Sequence, residues 1–134
     1  MPIKNRFAEL YPAIVSWRHD FHRNPELQYK LPKTAGKVAE LLRDFGCDEV
    51  VEGVGVSGVV GIIRGQEDTS RRVIGLRADM DALPIDEKSG VAYKSEISGV
   101  MHACGHDGHT AMLLGAAKYL CETRNFDGKA AVIF

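Results

Sequence analysis

Three short apolar runs, and what separates them, restrict the folds open to this chain. Val59-Val60-Gly61-Ile62-Ile63, Val73-Ile74-Gly75-Leu76 and Ala130-Ala131-Val132-Ile133-Phe134 are each too short for a buried helix, and turn-forming residues bound the first two. They read as buried strands. A helical pattern over about Gly108 to Thr123 stands between the second and third, with Met112, Leu113, Ala116, Ala117 and Leu120 on its apolar side. A strand, a helix and a second strand in that order imply a parallel pair. The polar stretch Gln66 to Arg72 reads as a hairpin loop, which implies an antiparallel pair as well.

Two helices and a strand precede these runs. Leu10, Ile14, Trp17 and Phe21 recur at the spacing of one helix face, with Pro12 expected to start a fresh helix or to kink this one. Pro25 ends the pattern. A second helix is expected over Thr34 to Phe45, buried through Val38, Leu41, Leu42 and Phe45, capped by Thr34 and closed by Gly46. A short strand follows at Glu49 to Glu52, and residues from about Pro84 to Gly99 read as a long loop. The expectation is an α/β fold built on a mixed sheet.

Composition excludes several classes of function. The 134 residues carry a net charge of −1, which favours neither nucleic acid nor an anionic membrane as partner. No apolar run approaches the ~20 residues of a membrane span, and the N-terminus lacks a secretory apolar core. Cys47, Cys104 and Cys121 are too few and too scattered for a disulfide framework. Reduced thiols and a cytoplasmic location are expected. The chain stops inside an apolar strand at Phe134, which reads as a truncation.

Two clusters can carry chemistry. Asp79 and Asp81 follow the strand at Leu76, and two residues apart in extended chain they face one side. Ligand sites of open α/β sheets lie at that edge, although a solvated turn explains the pair equally well. The second cluster is denser: His102, Cys104, His106, Asp107 and His109 fall within eight residues. Thiolate and imidazole are the usual ligands of zinc and similar ions. Cys104 and His106 cannot share a helical face and fit a turn at a helix start, with Gly105 bending the backbone and Asp107 capping. If the helix begins earlier, His106 and His109 are neighbours on one face. There are no paired Cys-x-x-Cys units, so an open catalytic centre fits better than a structural zinc site. His19, His22, Cys47 and Cys121 read as surface or packing residues, and Trp17 as core.

Gly75-Leu76-Arg77-Ala78-Asp79-Met80-Asp81-Ala82-Leu83-Pro84-Ile85 and Met101-His102-Ala103-Cys104-Gly105-His106-Asp107-Gly108-His109-Thr110 resemble the two hallmark segments of the aminoacylase and carboxypeptidase-like metallohydrolases. The resemblance is to the amidohydrolase subgroup that includes hippurate hydrolase, indole-acetyl amino acid hydrolase and N-acetyl-diaminopimelate deacetylase. Phe21-His22-Arg23-Asn24-Pro25-Glu26-Leu27 and the Thr34 to Val50 region also resemble it, so the likeness spans essentially the whole chain. It implies a three-layer α/β/α domain with a mixed, mostly parallel sheet, of which residues 1–134 are the N-terminal part. It implies two divalent metal ions, manganese or zinc, bound in part by Cys104 and His106. Asp79, Asp81, Asp107 and His109 are expected around them, with Asp81 orienting ligands. The substrate implied is a small N-acyl amino acid or short peptide. The general-base glutamate, the remaining ligands and an inserted domain used for dimerisation are expected beyond Phe134. The alternatives are a non-catalytic metal-binding or interaction module and an inactive fragment.

Overall fold

The computed structural model describes residues 3–134. In chain order the elements are α1 (Ile3–Arg23), α2 (Pro32–Phe45), β1 (Glu49–Val54), β2 (Gly58–Arg64), β3 (Val73–Arg77), α3 (His106–Thr123) and β4 (Lys129–Ile133).

The sheet order is β1-β2-β4-β3. β4 runs parallel to β3 and antiparallel to β2, and β1 is antiparallel to β2. The mixed α/β class and the parallel β3–β4 pair are as expected. The hairpin expected between β2 and β3 is not formed, because β4 inserts between them. Ala130 and Val132 are buried, and a strand this apolar gains most with a neighbour on each side. The 65–72 connection instead passes over the start of β4. Gly65 N–H donates to the Gly128 carbonyl, and the Asp127 carboxylate takes the Thr69 N–H and hydroxyl. The parallel majority and the second helical layer are absent among the described residues. Two of the three ladders are antiparallel because a tight turn joins β1 to β2 and β2 opposes β4.

α2 and α3 pack on each other and on the sheet, and α1 packs on α3. The core lies between, built from Val38 and Leu42 of α2, Val59 and Ile63 of β2, Leu114 and Ala117 of α3, and Val132. The alternate residues Val60, Ile62 and Ala131 are only half-buried, and Val51 and Ile133 are exposed, so the opposite sheet face is left open. Burying the inner face of the sheet dictates a glycine. A Cβ on Gly61 would stand 2.9 Å from Val132 Cγ2 and 3.1 Å from Leu42 Cδ1. Gly61→Ala is therefore expected to lower the urea midpoint. Overpacking costs about 1–3 kcal/mol, more than the ~0.5–1 kcal/mol gained by removing a glycine from a strand. An unchanged midpoint would show that α2 can yield.

Local details differ from expectation where tertiary contacts intervene. Pro12 lies inside one continuous α1. Its missing N–H frees the Ala8 carbonyl, which lies on an exposed face open to solvent. α2 starts at Pro32, a favoured first position, and Thr34 does not cap it. The Glu26 carboxylate does so, accepting from Lys33 N–H, Thr34 N–H and the Thr34 hydroxyl. Gly46 closes α2 in the left-handed region at φ 86° as expected. Met112, read as inward, is exposed because the side of α3 beneath it faces the uncovered flank of β3.

Candidate metal centre

The carboxyl ends of β3 and β4 lie side by side, and the chain leaves β3 directly into Ala78-Asp79-Met80-Asp81. Ala78 and Met80 are buried and hold this segment against the core, which turns Asp79 and Asp81 the other way. The 101–105 segment approaches from the far side of the loop, tied to Leu83 by a two-way backbone bridge from Met101. Gly105, at φ 86°, makes the bend into α3, which begins at His106 rather than near Gly108.

That earlier start places His106 and His109 one turn apart, with ring centroids separated by 5.5 Å. His106 Nδ1 lies 2.8 Å from the Asp81 carbonyl oxygen and 3.0 Å from Asp81 Oδ1. Both partners are acceptors, so Nδ1 donates, which leaves Nε2 as the nitrogen available to a metal ion. Nε2 stands 3.6 Å from Asp79 Oδ2. His109 Nδ1 is 2.8 Å from Asp79 Oδ1, and the Thr110 hydroxyl donates to the Asp79 carbonyl. The His109 hydrogen bond is the main reason the Asp79 carboxyl sits below the usual range, against a smaller opposing effect of burial. One ligand atom each from Asp79, His106 and His109 can be chosen with all three within 4.8 Å of one another. Carboxylate and imidazole donors so arranged, with the His106 tautomer fixed by a neighbouring carboxylate, suit a divalent cation.

Of the residues expected at the site, the structure brings Asp79, Asp81, His106 and His109 together. Cys104 is exposed, two residues ahead of His106, and is not one of the three converging groups. Asp107 does not cap α3. It lies within the first turn, 1% exposed, and its Oδ2 takes His22 Nδ1 at 2.7 Å and Arg18 Nε at 3.1 Å. Burial pushes its carboxyl up, but the His22 hydrogen bond and neighbouring positive charge outweigh this and hold it below the ordinary value. An open cavity of about 440 Å³ adjoins the site, lined by Tyr29, Leu31, Ser57, Arg77, Asp79 and Asp81 among others. Its size suits a small molecule.

Sequence reasoning missed a polar network under α3. His22, read as a surface or packing residue, is buried between two carboxylates, Nδ1 on Asp107 and Nε2 on Glu87 Oε1 at 3.0 Å. Holding both requires two N–H donors. Arg18 precedes His22 by one turn beside the buried stripe, a pairing that could have flagged this face. Glu87 also accepts from the Ser89 hydroxyl and from Ser95 N–H at 2.6 Å. His102 is buried near His22, ring centroids 6.4 Å apart, and burial pushes its pKa down to about 4.

Glu87 makes acid stability a readout of this network. Burial pushes its carboxyl up, but Ser89, Ser95 and His22 outweigh that and hold it at about 2. A depressed carboxylate contributes stability present above its unfolded pKa of 4.5 and lost as pH falls toward 2. Its side chain is 3% exposed. The advantage of the native chain over Glu87→Gln should shrink by on the order of 3 kcal/mol between pH 5 and pH 2. Urea titrations of both proteins across that range would measure it; a constant difference would contradict it.

Comparison with known proteins places the chain. The model for peptidase family M20/M25/M40 matches residues 75–134, which include both clusters. A thermostable carboxypeptidase 2 from Saccharolobus solfataricus is 48% identical over 134 residues, covering 98% of this chain and 33% of that protein. Residues 75–134 thus match peptidase family M20/M25/M40, and the likeness to the carboxypeptidase extends over nearly the whole chain. A hippurate hydrolase from Campylobacter jejuni is 51% identical over 117 residues, 87% of this chain and 30% of the relative. The crystal structure of Bacillus subtilis YXEP, described as a dinuclear metal binding peptidase of the M20 family, superposes with a TM-score of 0.88 at 36% identity. It covers 95% of this chain and 35% of that one. The chain thus spans about a third of the length of the curated relatives it matches. No helix among the described residues is long and apolar enough to cross a membrane.

Proposed function

We propose that this chain is the N-terminal part of the catalytic domain of an amidohydrolase that cleaves N-acyl amino acids at a site for two divalent ions, manganese or zinc. Cys104 and His106 are the ligands it contributes, and Asp79, Asp81, Asp107 and His109 surround them. The observation that carries this reading is the fixed His106 tautomer. With Nδ1–H held by Asp81, Nε2 faces Asp79 and His109, and Asp79 also lines the 440 Å³ cavity. The exposed Cys104 thiol is free to turn toward the same point from across Gly105. The names of the relatives, a carboxypeptidase and a hippurate hydrolase, support an amide bond next to a carboxylate as the target.

When bound, such ions polarise a scissile carbonyl and supply hydroxide near neutral pH. The residues of this chain hold and orient. Asp81 fixes the His106 ring, and the cavity admits a small acyl or amino acid side chain. The group that moves the proton is expected outside these 134 residues. The open sheet face and the exposed Val73 and Ile74 on edge strand β3 support further chain packing there. A ligand thiol must stay reduced, which favours the cytoplasm.

The test is hydrolysis of N-acetyl and N-benzoyl amino acids with added manganese. The complete protein should turn these over, a chelator should stop it, and the 134-residue chain alone should show no substantial activity. Hydrolysis that survives chelation, robust turnover by the isolated chain, or no turnover of any substrate by the metal-loaded complete protein would refute the reading.

A further inference from the structure

His22 reaches the candidate centre without touching it. It sits in the last turn of α1, and its Nδ1 bonds Asp107, the residue after His106. Its Nε2 bonds Glu87, which the Ser89 hydroxyl and Ser95 N–H hold in the long loop. One imidazole therefore joins α1, the first turn of α3 and the loop of residues 84–101.

Holding α1 to α3 does not require this arrangement. The other end of the helix pair packs through apolar groups, with Ile14 against Gly115 and Phe7 against Tyr119, and carries an Arg6–Glu122 ion pair at its solvent edge. Replacing buried charges with apolar groups of similar size is often neutral or stabilising, so a network of Arg18, His22, Glu87 and Asp107 is a poor choice for adhesion alone. Directional bonds add to apolar packing an angular constraint on the first turn of the helix, where the bonded side chain sits. α3 has need of that at its start, because Gly105 precedes it in the left-handed region and no side chain caps it. His102, two residues before Cys104, adds to the polar character of this floor, being buried with neither ring nitrogen bonded among the described residues.

We propose that His22 is a positioning residue for the metal centre: through its bond to Asp107 it sets the rotation of the first turn of α3, and with it the aim of His106 and of the Cys104–Gly105 bend. This rests on the reading of Cys104 and His106 as ligands. The bond to Asp107 does the positioning, and the bond to Glu87 only anchors the ring.

Two substitutions separate these bonds. In His22→Asn the amide nitrogen overlays Nδ1 and keeps the bond to Asp107. In His22→Gln it overlays Nε2 and keeps only the bond to Glu87. Both should lower the melting temperature of the complete protein by similar amounts. Cobalt(II) is the probe, read by its affinity and by its visible absorption bands, which report ligand geometry. His22→Asn should bind cobalt within about 3-fold of the native protein, while His22→Gln should bind about 10–100-fold more weakly with shifted bands. Equal affinities and spectra for the two would overturn the proposal.

Should either fail to fold, Glu87→Gln and Asp107→Ala, which removes the acceptor for His22 Nδ1, pose the same question. The first should leave affinity unchanged and the second should weaken it about 10-fold or more, and equality again overturns the proposal. Native protein with no sulfur-to-cobalt charge-transfer band would reject the ligand reading and this inference with it. A native band with indifferent variants would reject this inference alone.

Discussion

Asp107→Ala should be the most destabilising single substitution in the polar part of this chain, at roughly 3–5 kcal/mol. The carboxylate is 1% exposed and receives both Arg18 and His22. Removing it leaves a buried imidazole and a partly buried guanidinium facing a cavity where their counter-charge stood. A domain of ordinary stability holds about 5–15 kcal/mol in all, so the loss is a large share of the total. Asp107→Asn, which keeps an acceptor for His22 Nδ1, should lose less. Urea unfolding at constant slope measures the difference. Asp44→Ala, an exposed carboxylate on α2, is the control. A midpoint for Asp107→Ala close to that control would show that the pairing adds nothing.

The second large effect concerns ligation. His106→Ala should weaken binding of manganese or cobalt to the complete protein by more than ~100-fold, beyond the 10–100-fold typical of residues that only orient ligands. The substitution removes the Nε2 donor and strands Asp81, but the side chain is part-exposed at 17%, so folding should survive. Cys104→Ala should match it. His109→Ala should cost about 10-fold, because Asp79 and His106 still converge without it. Calorimetric titration of the four proteins gives the ranking. If His106→Ala binds within 10-fold of native, or if His109→Ala is the more damaging change, the assigned ligands are wrong.

Much of the fold was legible because its signals are local. The spacing of Val38, Leu41, Leu42 and Phe45 marks α2, and Gly46 ends it by its left-handed backbone. The crossover from β3 through α3 requires the parallel pair that is found. The order of strands was not legible, since nothing near residues 65–72 tells that β4, arriving some 60 residues later, will occupy the place beside β2. The same limit divides the candidate site. Gly105 and the density of histidines around it point to a bend and a cluster, and both are present. The role of Asp107 could not be read locally. An aspartate just ahead of an apolar helical run is the pattern of a cap. Its partner His22 lies 85 residues away on α1, and that long-range pairing outweighs the local preference. His22 was obscured for the matching reason: its two carboxylates come from elements far along the chain. Glu26 was hidden as well, capping α2 from the turn before it in place of Thr34.

X-ray absorption at the zinc edge of the zinc-loaded complete protein addresses the ligands directly. A sulfur scatterer at about 2.3 Å, alongside nitrogen or oxygen at about 2.0–2.1 Å, is expected, and Cys104→Ser should remove the sulfur signal. A first shell of nitrogen and oxygen alone, unchanged by that substitution, would contradict the assignment of Cys104 and His106 as the metal-holding pair.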